Sequence, residues 1–194
     1  MPASVRTLTL ADAALPRADV LRNVLLVVGG SLATALAAQL AVPLPFSPVP
    51  LTGQTLAVLL VGMTLGARRG FASLALYLAE GAAGLPVFAG GAAGPAVLIG
   101  PTAGYLIAFP FAAALTGALA ERGWDRNPFT TIAAMLLGSV VILAGGLAGL
   151  SRFVPPDGLL AAGLLPFIPG DLVKTVLAAA TVPVAWRWIE GRRR

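Results

Sequence analysis

Six apolar stretches punctuate this chain, and the arginines between them fall on alternate connectors. Residues 23–42 carry no charge and are long enough to cross a hydrocarbon core about 30 Å thick. Further apolar runs occupy residues 51–66, 71–84, 96–120, 129–150 and 168–189. Six crossings place both termini on one side. That side then collects Arg6, Arg17, Arg22, Arg68, Arg69, Arg122, Arg126, Arg187 and the terminal Arg192, Arg193 and Arg194, while the other holds Arg152 alone. An excess of arginine in short connectors marks the cytoplasmic face, and an odd number of spans would scatter it over both faces. The expectation is an all-α, multi-pass protein of the cell membrane, with six transmembrane helices, both termini cytoplasmic and a single domain over residues 1–194. Composition agrees: 58% of residues are hydrophobic and 11% charged, against about a quarter charged in soluble domains. Residues 1–20, with Arg6, Asp12, Arg17 and Asp19, lack the basic, apolar and cleavage-site order of a signal peptide and read as a cytoplasmic tail at the membrane surface.

The irregular segments gather on the arginine-poor side. Pro43, Pro45, Pro48 and Pro50 fall within eight residues and predict a stiff extended cap. Residues 85–101 are too rich in Gly and Pro for regular structure, and residues 151–165 form a third loop. Irregular backbone at membrane depth persists only where it is buried in protein or lines a cavity. A solute pocket is therefore expected at that face. On the first span, Ala33, Ala37 and Ala41 form a small-residue ridge that allows close helix approach, either within the protein or to another subunit.

Residue inventory removes several functions. With no cysteine and no histidine, disulfides, thiolate or imidazole metal sites and histidine-based catalysis are excluded, and neither a metal nor a cofactor is expected. No Gly-x-x-x-x-Gly-Lys-Ser/Thr loop cradles a phosphate, so an ATP-driven step would need a borrowed ATPase. Gly90-Gly91-Ala92-Ala93-Gly94 follows no strand and reads as an outer loop rather than a nucleotide site. No basic surface interleaved with aromatics suggests nucleic acid.

Two charges stand out against this background. Phe167-Ile168-Pro169-Gly170-Asp171-Leu172-Val173-Lys174 opens the last apolar run, and Asp171 and Lys174 share one face of it three residues apart. A charge at mid-bilayer costs roughly 2.5–3.5 kcal/mol on insertion scales, so a retained one faces a partner or a cavity. The pair is either an internal ion pair that fixes packing or a ligand site with one anionic acceptor and one cationic donor. Glu80, like Asp171, lies toward the arginine-poor side.

The outer segments resemble the BioY family, the biotin-specific S component of energy-coupling factor transporters. The matching stretches are Val42-Pro43-Leu44-Pro45-Phe46-Ser47-Pro48-Val49-Pro50-Leu51-Thr52-Gly53-Gln54-Thr55-Leu56, Gly84-Leu85-Pro86-Val87-Phe88-Ala89-Gly90-Gly91, Gly100-Pro101-Thr102-Ala103-Gly104-Tyr105-Leu106 and the Phe167–Lys174 stretch quoted above. Ala103 departs from the family pattern, which places a second glycine there. The resemblance implies a membrane protein that binds biotin from outside and works with a transmembrane coupling subunit and a pair of cytoplasmic ATPases; a stand-alone carrier for biotin or another small solute is the alternative. It gives the alanine ridge weight as a docking face. In that setting Asp171 suits the ureido N–H edge of biotin and Lys174 the ureido oxygen. Gln54 offers donor and acceptor, Phe88 and Tyr105 wall the sulfur ring, and Gly90 and Gly91 admit close backbone approach. The carboxylate has no obvious partner; Arg152 reads as a solvated loop charge, and backbone N–H groups near Thr102 are the remaining candidates.

Overall fold

The computed structural model describes residues 8–15 and 19–191. What was expected of residues 1–7, 16–18 and 192–194 lies outside the described residues. The described residues form eight α-helices: α1 (Leu10–Ala14), α2 (Val20–Ala38), α3 (Gln54–Leu65), α4 (Ala67–Ala82), α5 (Ala103–Ala120), α6 (Pro128–Leu150), α7 (Pro156–Gly163) and α8 (Phe167–Gly191). Two 3₁₀ turns, Ala89–Gly91 and Pro95–Ile99, precede α5.

The helices α2, α5 and α6 and the stretch Pro156–Gly191, which holds α7 and α8, are long and apolar enough to cross a membrane. The apolar α3 is shorter, at 12 residues, and α4 has 16. A helix satisfies its own backbone hydrogen bonds, which is why uncharged Leu, Val and Ala runs adopt it where water is absent. Helices α5 and α6 approach closely: a Cβ on Gly149 would sit 2.7 Å from Gly104 Cα, so the backbones touch. Small residues at such a crossing replace the side-chain layer that otherwise separates two helices.

The expectation of a wholly helical chain is corrected in one place. The proline-rich segment is a two-stranded antiparallel hairpin, β1 (Ala41–Leu44) and β2 (Ser47–Thr52), paired Ala41 to Thr52, Val42 to Leu51 and Leu44 to Ser47. A register irregularity falls between Val42 and Leu44, at Pro43. Each strand of a two-stranded ribbon is an edge, so prolines can sit where no partner needs their missing N–H. The hairpin also corrects the alanine ridge. Ala33 and Ala37 lie on α2, but Ala41 begins β1. The N–H groups of Gln39 and Leu40 turn back to the carbonyls of Leu36 and Ala37 in a tightened last turn that ends the helix.

Helix α5 begins at Ala103 rather than near residue 96, because Gly100-Pro101 interrupts the chain after the 3₁₀ turn. The loop expected over residues 151–165 contains α7, with Pro156 at its first position and Asp157 in its first turn.

The two ends of the bundle differ in charge. At one end Asp12 of α1 joins Arg22 of α2 and Arg69 of α4. There Glu121 Oε1 accepts from Ala67 N at 2.9 Å, and Trp186 of α8 donates to Asp125 on the α5–α6 connector at 2.5 Å. Burial opposes charge on Asp12, but the Arg69, Thr9 and Arg22 donors outweigh it and hold the carboxyl below its usual range. Asp125 is the converse: it is wholly buried, only Oδ2 is partnered, and desolvation outweighs the Trp186 hydrogen bond to push its pKa up. The opposite end holds the hairpin, the 3₁₀ turns and α7, with Arg152 the only arginine among its described residues.

Candidate functional site

The sequence places polar residues at the ends of three helices that meet at the loop-covered end. Thr52 Oγ1 accepts from Gln54 N at 3.3 Å and starts α3; Gln54 and Thr55 therefore occupy its first turn. Asp171 and Lys174 lie in the first two turns of α8. Tyr105 lies in the first turn of α5.

These residues surround a cavity of about 440 Å³, within the range of roughly 300–1,000 Å³ usual for small-molecule sites. Its lining includes Gln54, Thr55, Phe88, Tyr105, Asp171 and Lys174, with Pro48, Val49 and Pro50 of β2 as one wall. Five of the seven expected binding residues are thus brought together. Gly90 and Gly91 do not line the cavity; their neighbours Ala89 and Ala92 do. The glycines have φ values of 65° and 76°, so they serve the turn that positions those alanines.

The charged pair is held by a residue that the sequence reading passed over. Lys174 Nζ donates to Thr55 Oγ1 at 2.6 Å and to Asp171 Oδ1 at 3.4 Å. The side chains of Asp171 and Lys174 are 11% and 19% exposed. Asp171 Oδ2 has no hydrogen bond among the described residues, and an ammonium has a third donor to give. Both charges therefore keep unused valence in a cavity.

Gln54 is oriented from both ends of its amide. Thr52 Oγ1 donates to Oε1 at 3.0 Å, and Nε2 donates to Tyr77 Oη at 2.6 Å. Tyr77 Oη in turn donates to Val87 O at 3.0 Å, tying α4 to the loop before Phe88. The Phe88 ring meets Tyr77 edge to face at 5.5 Å and fills the space left by Gly81. Tyr105 Oη donates to Gly163 O at 2.7 Å, so α5 carries the end of α7, and its ring lies 5.9 Å from that of Phe167. Ser47 Oγ donates to Ala162 O at 2.7 Å and fastens the hairpin to the same helix. The result is an apolar pocket with aromatic walls and one ion pair. Such a site suits a small ligand with a flat polar head that both donates and accepts, carried on an apolar body.

Arg152 is exposed and lines a separate groove between α5 and α6. Glu80 does not line the cavity; it accepts a hydrogen bond from Ser31 and joins α4 to α2. Thr102 does line the cavity, one residue before α5. Of the residues on the alanine ridge, Ala33 is exposed and Ala37 partly so, while Gly30, Ser31, Thr34, Ala35 and Ala38 turn inward. No group of three or more acids capable of holding a metal occurs among the described residues.

Comparison with known proteins bears on this site. The chain is 42% identical over 147 residues to the biotin transporter BioY of Rhizobium etli, covering 71% of this chain and 78% of that one. It is 42% identical over 154 residues to the probable biotin transporter BioY of Pyrococcus horikoshii, covering 79% and 88%. Its fold matches the crystal structure of the S-component for biotin from an ECF-type ABC transporter with a TM-score of 0.77 and 29% identity, over 86% of this chain and 92% of that one. These relatives are transport proteins rather than enzymes. The family model described as BioY family matches residues 6–191, and the chain belongs to that family.

Proposed function

We propose that this chain is the biotin-binding S component of an energy-coupling factor transporter, taking biotin from the outer side of the cytoplasmic membrane. The observation that carries the reading is the Asp171–Lys174 pair, lining a cavity at the arginine-poor end of the bundle. Arginine asymmetry supports six spans with both termini in the cytoplasm, so this cavity opens outward. Asp171 Oδ2 accepts a ureido N–H, and Lys174 donates to the ureido oxygen. Hydrogen bonds to ionised groups contribute about 1.5–3 kcal/mol each, which suits capture of a dilute vitamin. Gln54, Phe88 and Tyr105 complete the walls.

Transport requires energy that this chain has no motif to harvest. A transmembrane coupling subunit and a pair of cytoplasmic ATPases supply it, with Ala33 and Ala37 on the outward face of α2 as the place of docking. Mass spectrometry of small molecules carried through purification from biotin-containing medium tests the reading. Biotin at near one per chain is expected; a different solute, or none with an unliganded protein that fails to take up added biotin, overturns it. Uptake in cells lacking every coupling subunit would identify a stand-alone carrier instead.

A further inference from the structure

We infer that the site reads only the ureido end of its ligand and accepts carboxyl-amidated biotin about as well as free biotin. The inference rests on the biotin-binding reading and concerns which biotin derivatives the same cavity takes. Its basis is how charge and burial are distributed along the cavity wall. Among the described residues, Asp171 and Lys174 are the only charged side chains that line it. Asp171 and Gln54 are buried and Lys174 is partly buried, whereas Pro48, Ala92 and Ala96 at its rim are exposed and uncharged. A ligand whose ureido ring meets the charged pair has its tail directed to that rim.

Nothing at the rim pairs with a carboxylate. Lys174 is engaged by Thr55 and Asp171. Arg152, the one arginine among the described residues at this end, lines the α5–α6 groove with Ile107, Phe111 and Phe153 and does not line the cavity. What remains for an anion is the start of α5 beside Thr102, where a helix terminus typically favours negative charge by about fivefold or less in affinity. Water at the open rim solvates a carboxylate and an amide alike. An amide bond to a small amine, as in biotinyl-lysine, adds atoms beyond the rim rather than within the wall.

The test is competition against labelled biotin on the purified full-length chain, without ATP, using biotin, biotinamide and a biotin methylated on a ureido nitrogen. Biotinamide is expected within about fivefold of biotin, and the ureido-methylated compound weaker by tens of fold or more. If biotin binds and biotinamide is weaker by more than tenfold, the tail is recognised and this inference is wrong. If the ureido-methylated compound competes as well as biotin, the assigned ligand orientation is wrong and the inference falls with it. If labelled biotin does not bind at all, the function proposed above fails, an outcome distinct from either.

Discussion

Lys174 Nζ lies 2.6 Å from Thr55 Oγ1 and 3.4 Å from Asp171 Oδ1, so the lysine leans toward a hydroxyl on α3 rather than toward the acid on its own helix. The ion pair is therefore a three-residue arrangement spanning two helices, which keeps the two charges apart and leaves each able to meet a ligand. Removing the hydroxyl lets Lys174 collapse onto Asp171. Thr55→Val is expected to weaken biotin binding about ten- to hundredfold, the loss of one hydrogen bond to a charged group, while Thr55→Ser retains binding. Equilibrium binding on both variants checks this, and equal loss in both would assign Thr55 a packing role.

Tyr77 Oη accepts from Gln54 and donates to Val87 O, so one hydroxyl orients a cavity residue and anchors the loop that carries Phe88. Tyr77→Phe leaves both partners unsatisfied in a buried setting and is expected to cost about 1–3 kcal/mol of stability, with weaker ligand binding as a consequence. Thermal unfolding with and without biotin separates the two effects.

Gly149 faces Gly104 across the α5–α6 crossing with no room for a Cβ. Gly149→Ala must push one backbone from the other, and overpacking of this kind costs about 1–3 kcal/mol. The displaced α5 carries Tyr105, so binding should weaken together with thermal stability, whereas Gly170→Ala, where a Cβ meets open space, should leave stability unchanged.

Asp125 makes the far end of the protein sensitive to pH. Its pKa is raised in the fold because burial disfavours the carboxylate, with one oxygen left unpartnered. A group raised above its unfolded value contributes stability that is fully present below the unfolded pKa, near 3.8, and is lost as pH rises through the folded value. Asp125→Asn keeps an acceptor for Trp186 and removes the charge. It is expected to stabilise the protein by about 1 kcal/mol at neutral pH and to flatten the stability profile above pH 4. Unfolding measured from pH 4 to 8 on both proteins decides this; an unchanged slope would place the titration elsewhere.

Asp171 and Lys174 were legible because charge inside an apolar run has few physical excuses, and helical spacing put them on one face. Thr55 was not, because a threonine beside the start of a helix reads as a local cap, and nothing in the sequence says that Lys174 reaches it from a segment more than a hundred residues away. Tyr77 carried no signal of its role for the same reason. The hairpin was hidden by its four prolines, which argue against strands unless the ribbon has only edges. Pro156 followed by Asp157 did carry a helix-start signal for α7, outweighed by the adjacent Pro155 and the loop-like composition around it. Gly90 and Gly91 drew attention as points of close approach, but their positive φ angles serve a turn outside the cavity lining.

The most direct measurement is equilibrium binding of biotin to the purified chain without ATP, comparing the unaltered protein with Asp171→Asn and Lys174→Ala. Saturable binding at one site, abolished or weakened at least about hundredfold in each variant although both remain folded, is the expected result. Unchanged binding by the two folded variants would contradict the account at its centre.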